Sequence, residues 1–461
     1  MSITQRSGKK TVSGWALLSA YGALPLSSYP LVSAIVKIRS KTHFASAIPR
    51  YLLFALLIFT PLARGSVHGW AVTVIHLVTL IALTAYLLEK TLTGDWKWIK
   101  TPLDKPIICL LLLGLLSSIF SVHRYTSIGA TILLVNYLTI FYLIIHTIRT
   151  RSQFRHLVYL IIGVATFLSV FGLFKNSGMN PCPWWHYPEI TQNVHRLAST
   201  YGNANHLAGY MEMAILLLLG YSLTAITGSK RLLMLAVAFV LFLSLLFSLS
   251  RGGWIGTVMG LFFMALALST GLRVKKGKFI VALVAGIIVV GVIILSSTAT
   301  VERILALEKK EGLEARMRVW GGVINLIENY PLLGVGPGTF ATVYTQYQPP
   351  GFDRRYFMAH NDYLQFIAEL GVILIPIMLW MMVNLYQKGF QKLKNPSRLV
   401  RGITIGAMAG IAAILVHSAI DFNLRIPANA LLFSVLAALV VAPIPEPGHL
   451  PPEPRHLTPA T

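Results

Sequence analysis

His360 is followed by Asn361 and Asp362, where a long polar stretch runs back into an apolar one in RRYFMAHNDYLQFIAELG. Asn and Asp are good helix N-caps, so a helix is expected to begin there. A histidine just ahead of a helix N-terminus meets the positive end of the helix dipole, which favours the neutral imidazole. A neutral imidazole can take a proton as a general base, but an interfacial histidine that merely helps the chain turn into a membrane has the same sequence context. Arg251 offers a second chemistry. It opens the turn in FSLSRGGWIG, between two apolar runs. It either snorkels at a helix end or binds an anion, with Gly252 and Gly253 permitting close approach. Arg196 lies in HRLASTYGNANHLAGYM, where Gly202, Asn203 and Asn205 mark a turn and Asn205 can cap the helix that follows. It is either an ordinary loop arginine or part of the same set.

The elements that must position these residues are helices in a membrane. The 461 residues are 55% hydrophobic and 12% charged, with a mean hydropathy of +0.68, against about 25% charge in a soluble domain. The expected fold is all-α and polytopic, with about twelve spans of roughly 20 residues each: 48–63, 68–89, 104–122, 127–147, 157–175, 206–227, 231–249, 252–271, 279–296, 368–386, 402–420 and 427–443. The organisation follows as a cytoplasmic or interfacial segment 1–49, spans 50–296, a large outer loop 297–367, spans 368–443 and a Pro-rich cytoplasmic tail 444–461. Residues 1–40 show no cleavable signal pattern. Cys109 sits in an apolar run and Cys182 in a polar loop, so no disulfide is expected.

The net charge of +23 reads as positive-inside loop charge rather than a nucleic-acid surface. With the N-terminus cytoplasmic, most of the 39 Lys and Arg fall inside. The outer loops still carry Arg196, Arg251, Arg316, Arg318, Arg354, Arg355 and Arg425, with His360 among them. Cations gathered at the face that should be poor in them mark a ligand path. Guanidinium forks bind phosphate oxygens bidentately and stay charged, and a lipid-linked diphosphate has its phosphates at this depth. No Asp-x-Asp occurs, and no His/Asp/Glu set has metal-site spacing, so neither metal nor cofactor is expected. GVGPGTF (334–340) lacks the Gly-Lys-Ser/Thr end of a phosphate loop and reads as a turn. Trp184 and Trp185 read as an interfacial aromatic belt, and Asp421 and Arg425 as a local pair.

Four stretches together resemble the O-antigen ligase/polymerase superfamily of bacterial polytopic glycosyltransferases: STYGNANHLAGY (199–210), SLSRGGWIG (248–256), the run from RMRVW to AHNDYLQFIAELG (316–371), and HSAIDFNLRIPANALLF (417–433). Within them His360, Asn361 and Gly371 fit a His-Asn-x9-Gly pattern. The resemblance implies a GT-C-like enzyme of the bacterial inner membrane, with its site facing the periplasm. It implies inverting, metal-independent transfer of a glycan from undecaprenyl diphosphate to a hydroxyl, which for a ligase belongs to lipid A–core. His360 matches the family's proposed base, and Arg251 and Arg196 match arginines that would hold the diphosphate. Arg316, Arg318, Arg354, Arg355 and Asn361 fall in family-typical stretches without an assigned role. A polymerase acting on a second lipid-linked glycan, a protein O-oligosaccharyltransferase and a transporter of the lipid-linked glycan are the alternatives.

Overall fold

The computed structural model describes residues 47–179, 196–271, 313–352 and 355–445. Among them every regular element is helical. The first group is α1 (Ile48–Leu62), α2 (Gly69–Thr93), α3 (Asp104–Ile119), α4 (Arg124–Thr147), α5 (Arg151–Asn176), α6 (Ala204–Ala225), α7 (Ser229–Phe247) and α8 (Arg251–Gly271). After these come α9 (Leu313–Asn329), the single turn α10 (Phe340–Val343), α11 (Asp362–Leu370), α12 (Leu374–Leu393), α13 (Arg398–His417) and α14 (Pro427–Val441). Seven of the described helices are long and apolar enough to cross a membrane: α2, α4, α5, α6, α7, α8 and α13. α1 and α14 are shorter apolar helices. Large apolar side chains such as Leu80, Leu112, Phe262 and Leu379 point outward at more than half exposure, as a surface facing lipid would. The expected span 279–296 lies outside the described residues.

α6 is the post of the bundle, buried from His206 to Thr224. Lipid tails are as apolar as leucine, so close packing rather than the hydrophobic effect must bring helices together here. The sequence supplies it twice. Gly402, Gly406 and Gly410 recur every four residues on α13, and a Cβ at Gly406 would stand 2.8 Å from Leu217 Cα on α6. Gly252, Gly256 and Gly260 recur likewise on α8, where a Cβ at Gly260 would stand 2.9 Å from Ala409 O on α13. Two glycine faces thus clamp α6, α8 and α13 backbone to backbone.

The expected span 368–386 is not one helix. α11 ends at Leu370, and Gly371 turns the chain at φ +78 before α12 begins. A side chain at 371 would run into Leu332 O, so both the left-handed backbone and the close approach require glycine there. The GVGPGTF stretch is a turn, as expected, and it is anchored. Val335 and Gly336 donate backbone hydrogen bonds to Ala368 O and Glu369 O at 3.0 Å each, and Gly338 N donates to Glu369 Oε2 at 2.7 Å. The same oxygen receives Arg425 Nη2 at 2.6 Å. Arg425 therefore pairs with Glu369 rather than with Asp421, because the 3-10 turn Asn423–Arg425 carries its side chain toward α11.

Candidate functional site

Asn361 caps α11 as its type predicts, its side-chain oxygen accepting from Leu364 N at 3.1 Å. The adjacent Asp362 is no cap. Its backbone N–H reaches Ser418 O at 2.8 Å and Asp421 O at 3.1 Å, and its Oδ2 accepts from Leu424 N at 2.9 Å. The α13–α14 connection is thereby bolted to the start of α11. Full burial pushes the Asp362 carboxyl up to about 7, against the lowering by Leu424 N, Ser418 and Arg425.

That bolt sets the central contact. His360 Nδ1 stands 3.5 Å from Asp421 Oδ1, with the histidine side chain 30% exposed and the aspartate 3%. The imidazole packs edge-on against Phe422 and Tyr356. Asp421 is also held by its own chain, through Phe422 N at 2.9 Å, and by Asn205 Nδ2 at 2.6 Å. Burial alone would raise its carboxyl; the His360 ring 3.5 Å away, with His206 and His417, outweighs burial and holds it well below the usual carboxylate range. The expected local pair Asp421–Arg425 is replaced by a histidine–carboxylate pair.

From Asp421 the network runs on to arginine. Asn205 does not cap α6; Asn203 does, accepting from Asn205 N at 2.9 Å. This leaves the Asn205 side chain to bridge Asp421 and Arg196 Nη2. Arg196 also donates to Ser248 O at 2.8 Å and Leu249 O at 3.4 Å, at the end of α7. Its pKa is lowered by burial, raised in part by Asp421 and lowered again by Arg316, yet a guanidinium stays charged at any physiological pH. Arg316 reaches the same place from α9, donating to Ile420 O at 2.7 Å. Arg251 is exposed at the start of α8, two residues beyond the Leu249 carbonyl that Arg196 braces.

Not every candidate joins this cluster. Arg318 donates to Pro350 O at 2.6 Å and lies 4.5 Å over the Phe352 ring, folding the 347–352 turn onto α9. Arg355 is exposed, and Arg354 lies outside the described residues. A further cation arrives from a loop that showed no chemistry in the sequence. Arg64, at φ +57, lays its guanidinium over Gly202, where a Cβ would stand 2.7 Å from Nε. Among the described residues, the non-glycine positions with left-handed backbone are Arg64, Ser66, Ser199, Leu249 and His360. All five lie in the loops that build this end of the bundle. Strain of about 1–3 kcal/mol per residue persists only where surroundings over-determine it, and it gathers at functional sites.

The class defined so far is a polytopic helical membrane protein with a histidine–carboxylate pair and converging arginines at one end. Residues 236–379 match the family model described as O-antigen ligase. Over that stretch the chain is similar to the O-antigen ligase family, whose model implies a glycosyltransferase-like activity in general. The match includes Arg251, Arg316 and His360 and leaves out Arg196, Asn205 and Asp421. No curated protein matches the chain.

Proposed function

We propose that this protein transfers a glycan from undecaprenyl diphosphate to a hydroxyl of lipid A–core at the periplasmic face of the inner membrane, with inversion at the anomeric carbon. The observation that carries the reading is the His360–Asp421 pair, joined through Asn205 to the arginine cluster. The acceptor O–H attacks the anomeric carbon on the face opposite the diphosphate. The C–O bond to the diphosphate breaks, its electron pair leaving with the phosphate. The hydroxyl proton passes to His360 Nε2, while Asp421 orients Nδ1–H and stabilises the imidazolium, as the acid does in a triad. Arg251 meets the diphosphate from the exposed turn and stabilises the departing charge. Arg196 and Arg316, tied to protein carbonyls, supply positive potential from behind and fix the loops. The donor already carries a good leaving group, so positioning, charge neutralisation and removal of one proton are sufficient.

The test is purified protein in detergent with undecaprenyl-diphosphate glycan, EDTA and three acceptors in parallel: lipid A–core, a second lipid-linked glycan and a Ser-containing peptide. Glycan on lipid A–core supports the reading. A lengthened lipid-linked glycan replaces it with a polymerase, glycosylated peptide with a protein transferase, and no product on any acceptor overturns it.

A further inference from the structure

A second polar cluster lies inside the bundle, behind Arg251. Glu212 stands on α6, two turns below its start, and is fully buried. His417 ends α13 and is 1% exposed; its Nδ1 lies 3.2 Å from Glu212 Oε1. Its Nε2 lies 3.4 Å from the Oγ of Ser250, which is also buried. Ser250 Oγ in turn accepts from Gly253 N at 3.3 Å, in the first turn of α8. With a proton on Nδ1 the directions agree throughout: Gly253 N–H to Ser250 Oγ, Ser250 O–H to His417 Nε2, His417 Nδ1–H to Glu212 Oε1.

The surrounding chain is cut to admit this chain of groups. A Cβ at Gly252 would collide with the His417 ring, and one at Gly256 would lie 2.5 Å from Glu212 Oε2. Gly252 thus opens onto His417, not onto a substrate, and the glycines of SRGGWIG make the space that the histidine and glutamate fill. Glu212 Oε2 makes no hydrogen bond among the described residues. An ionisable group placed in a membrane core with an orphaned oxygen carries a stability cost, and such groups are kept for function.

The cluster also has a directional consequence. His417 holds the Ser250–Arg251 turn on one side, while Ser418 O and Asp421 O hold Asp362 and the His360 junction on the other. The end of α13 is therefore the common post between the exposed arginine and the histidine. We propose that Glu212 and His417 are positioning residues that fix the Ser250–Arg251 turn and so set the distance from the Arg251 guanidinium to the His360–Asp421 pair. This rests on the diphosphate reading for what Arg251 binds, but not for the bracket itself.

Two measurements separate those parts. The first is hydrogen exchange of residues 248–254 in the purified, ligand-free protein, comparing wild type, Glu212→Leu and Glu212→Gln. Glu212→Leu removes the acceptor for His417 and is expected to speed exchange in that segment about tenfold, the scale of one broken coupling within a hydrogen-bond network, with residues 213–222 unaffected. Glu212→Gln keeps an acceptor oxygen and is expected to restore slow exchange. If Glu212→Leu does not fold, Ser250→Ala breaks the same chain at its outer end and takes its place. Unchanged exchange in 248–254 would overturn the bracket. The second measurement is binding of undecaprenyl diphosphate. Glu212→Leu is expected to weaken it about tenfold in the wild-type background and not at all in Arg251→Gln. An equal loss in both backgrounds would overturn a role through Arg251. If Arg251→Gln itself binds undecaprenyl diphosphate as wild type does, the donor reading fails, and hydrogen exchange alone decides the bracket.

Discussion

With Nδ1 turned toward Asp421 at 3.5 Å, the His360 ring has Nε2 left for an incoming hydroxyl. His360→Ala is then expected to lower transfer by roughly 10²–10⁴, the range of general-base catalysis. Asp421→Asn keeps the shape but removes the charge facing the imidazolium. It should lower kcat by about 10² with little change in donor KM; steady-state kinetics with both substrates checks this, and a wild-type kcat would remove the orienting role. Asp362 makes a pH prediction of a different sign from Asp421. Its folded carboxyl keeps a proton up to about 7, whereas an unfolded one releases it near about 4. Between those values the unfolded state binds fewer protons, so stability falls as pH rises through the window. Asp421, held below the ordinary range, stabilises above its unfolded pKa and loses that contribution as pH falls through its folded one. Asp362→Asn cannot ionise and keeps an acceptor for Leu424 N. Its Tm in detergent should exceed wild type at pH 8 and converge on it toward pH 5; a lower Tm at pH 8 would show that the ionised carboxylate stabilises the fold and that burial does not raise its pKa. His360, Asn361 and Arg251 were legible as singular polar residues at apolar boundaries. Asp421 was not recognised as the partner of His360, because the two lie 61 positions apart and meet only after Asp362 bolts the α13–α14 turn to α11. Its proximity to Arg425 in sequence suggested the wrong pair.

At the scale of elements, hydropathy located helices well and their partners poorly. Apolar length marks a span, but nothing in it says that α6 is the buried post or that the α8 and α13 glycines face it and one another. A four-residue glycine spacing on both helices carries that signal. Gly406→Ala would place a methyl against the α6 backbone at Leu217, where no flexible side-chain end can give way. The expected cost is about 1–3 kcal/mol, read as a lower Tm in detergent; no change would mean that α6 and α13 separate without penalty. The segment 297–367 was expected as one large outer loop. Its described part gives α9, α10 and the GVGPGTF turn, clipped to α11 by Glu369. Glu369→Gln weakens the clip from both Arg425 and Gly338, so residues 334–340 should exchange amide hydrogens faster than in wild type, and unchanged exchange would show that the backbone bonds to Ala368 and Glu369 suffice.

Across the whole molecule the two ends of the bundle are chemically distinct. One end gathers the turns after α1, α5, α7 and α13 around His360 and Asp421. At the other, Arg151 bonds Ser397 and Pro445 O, closing the turns before α5 and α13 against the end of α14. On the positive-inside reading of the loop charge we propose that the first end faces outward, and that orientation has its own check. In a cysteine-free background, Arg355→Cys should react with a membrane-impermeant maleimide in cells with a permeabilised outer membrane, and Ser229→Cys only after the inner membrane is opened. The reverse pattern would invert the protein in the membrane. The central claim is that this outer end removes one proton from an acceptor while arginines hold a lipid diphosphate. Its most direct test is the rate of glycan transfer from undecaprenyl diphosphate to lipid A–core, measured for wild type and for a folded His360→Ala protein under the same conditions. Transfer by wild type and its loss in the variant is the predicted result; equal rates for the two would contradict it.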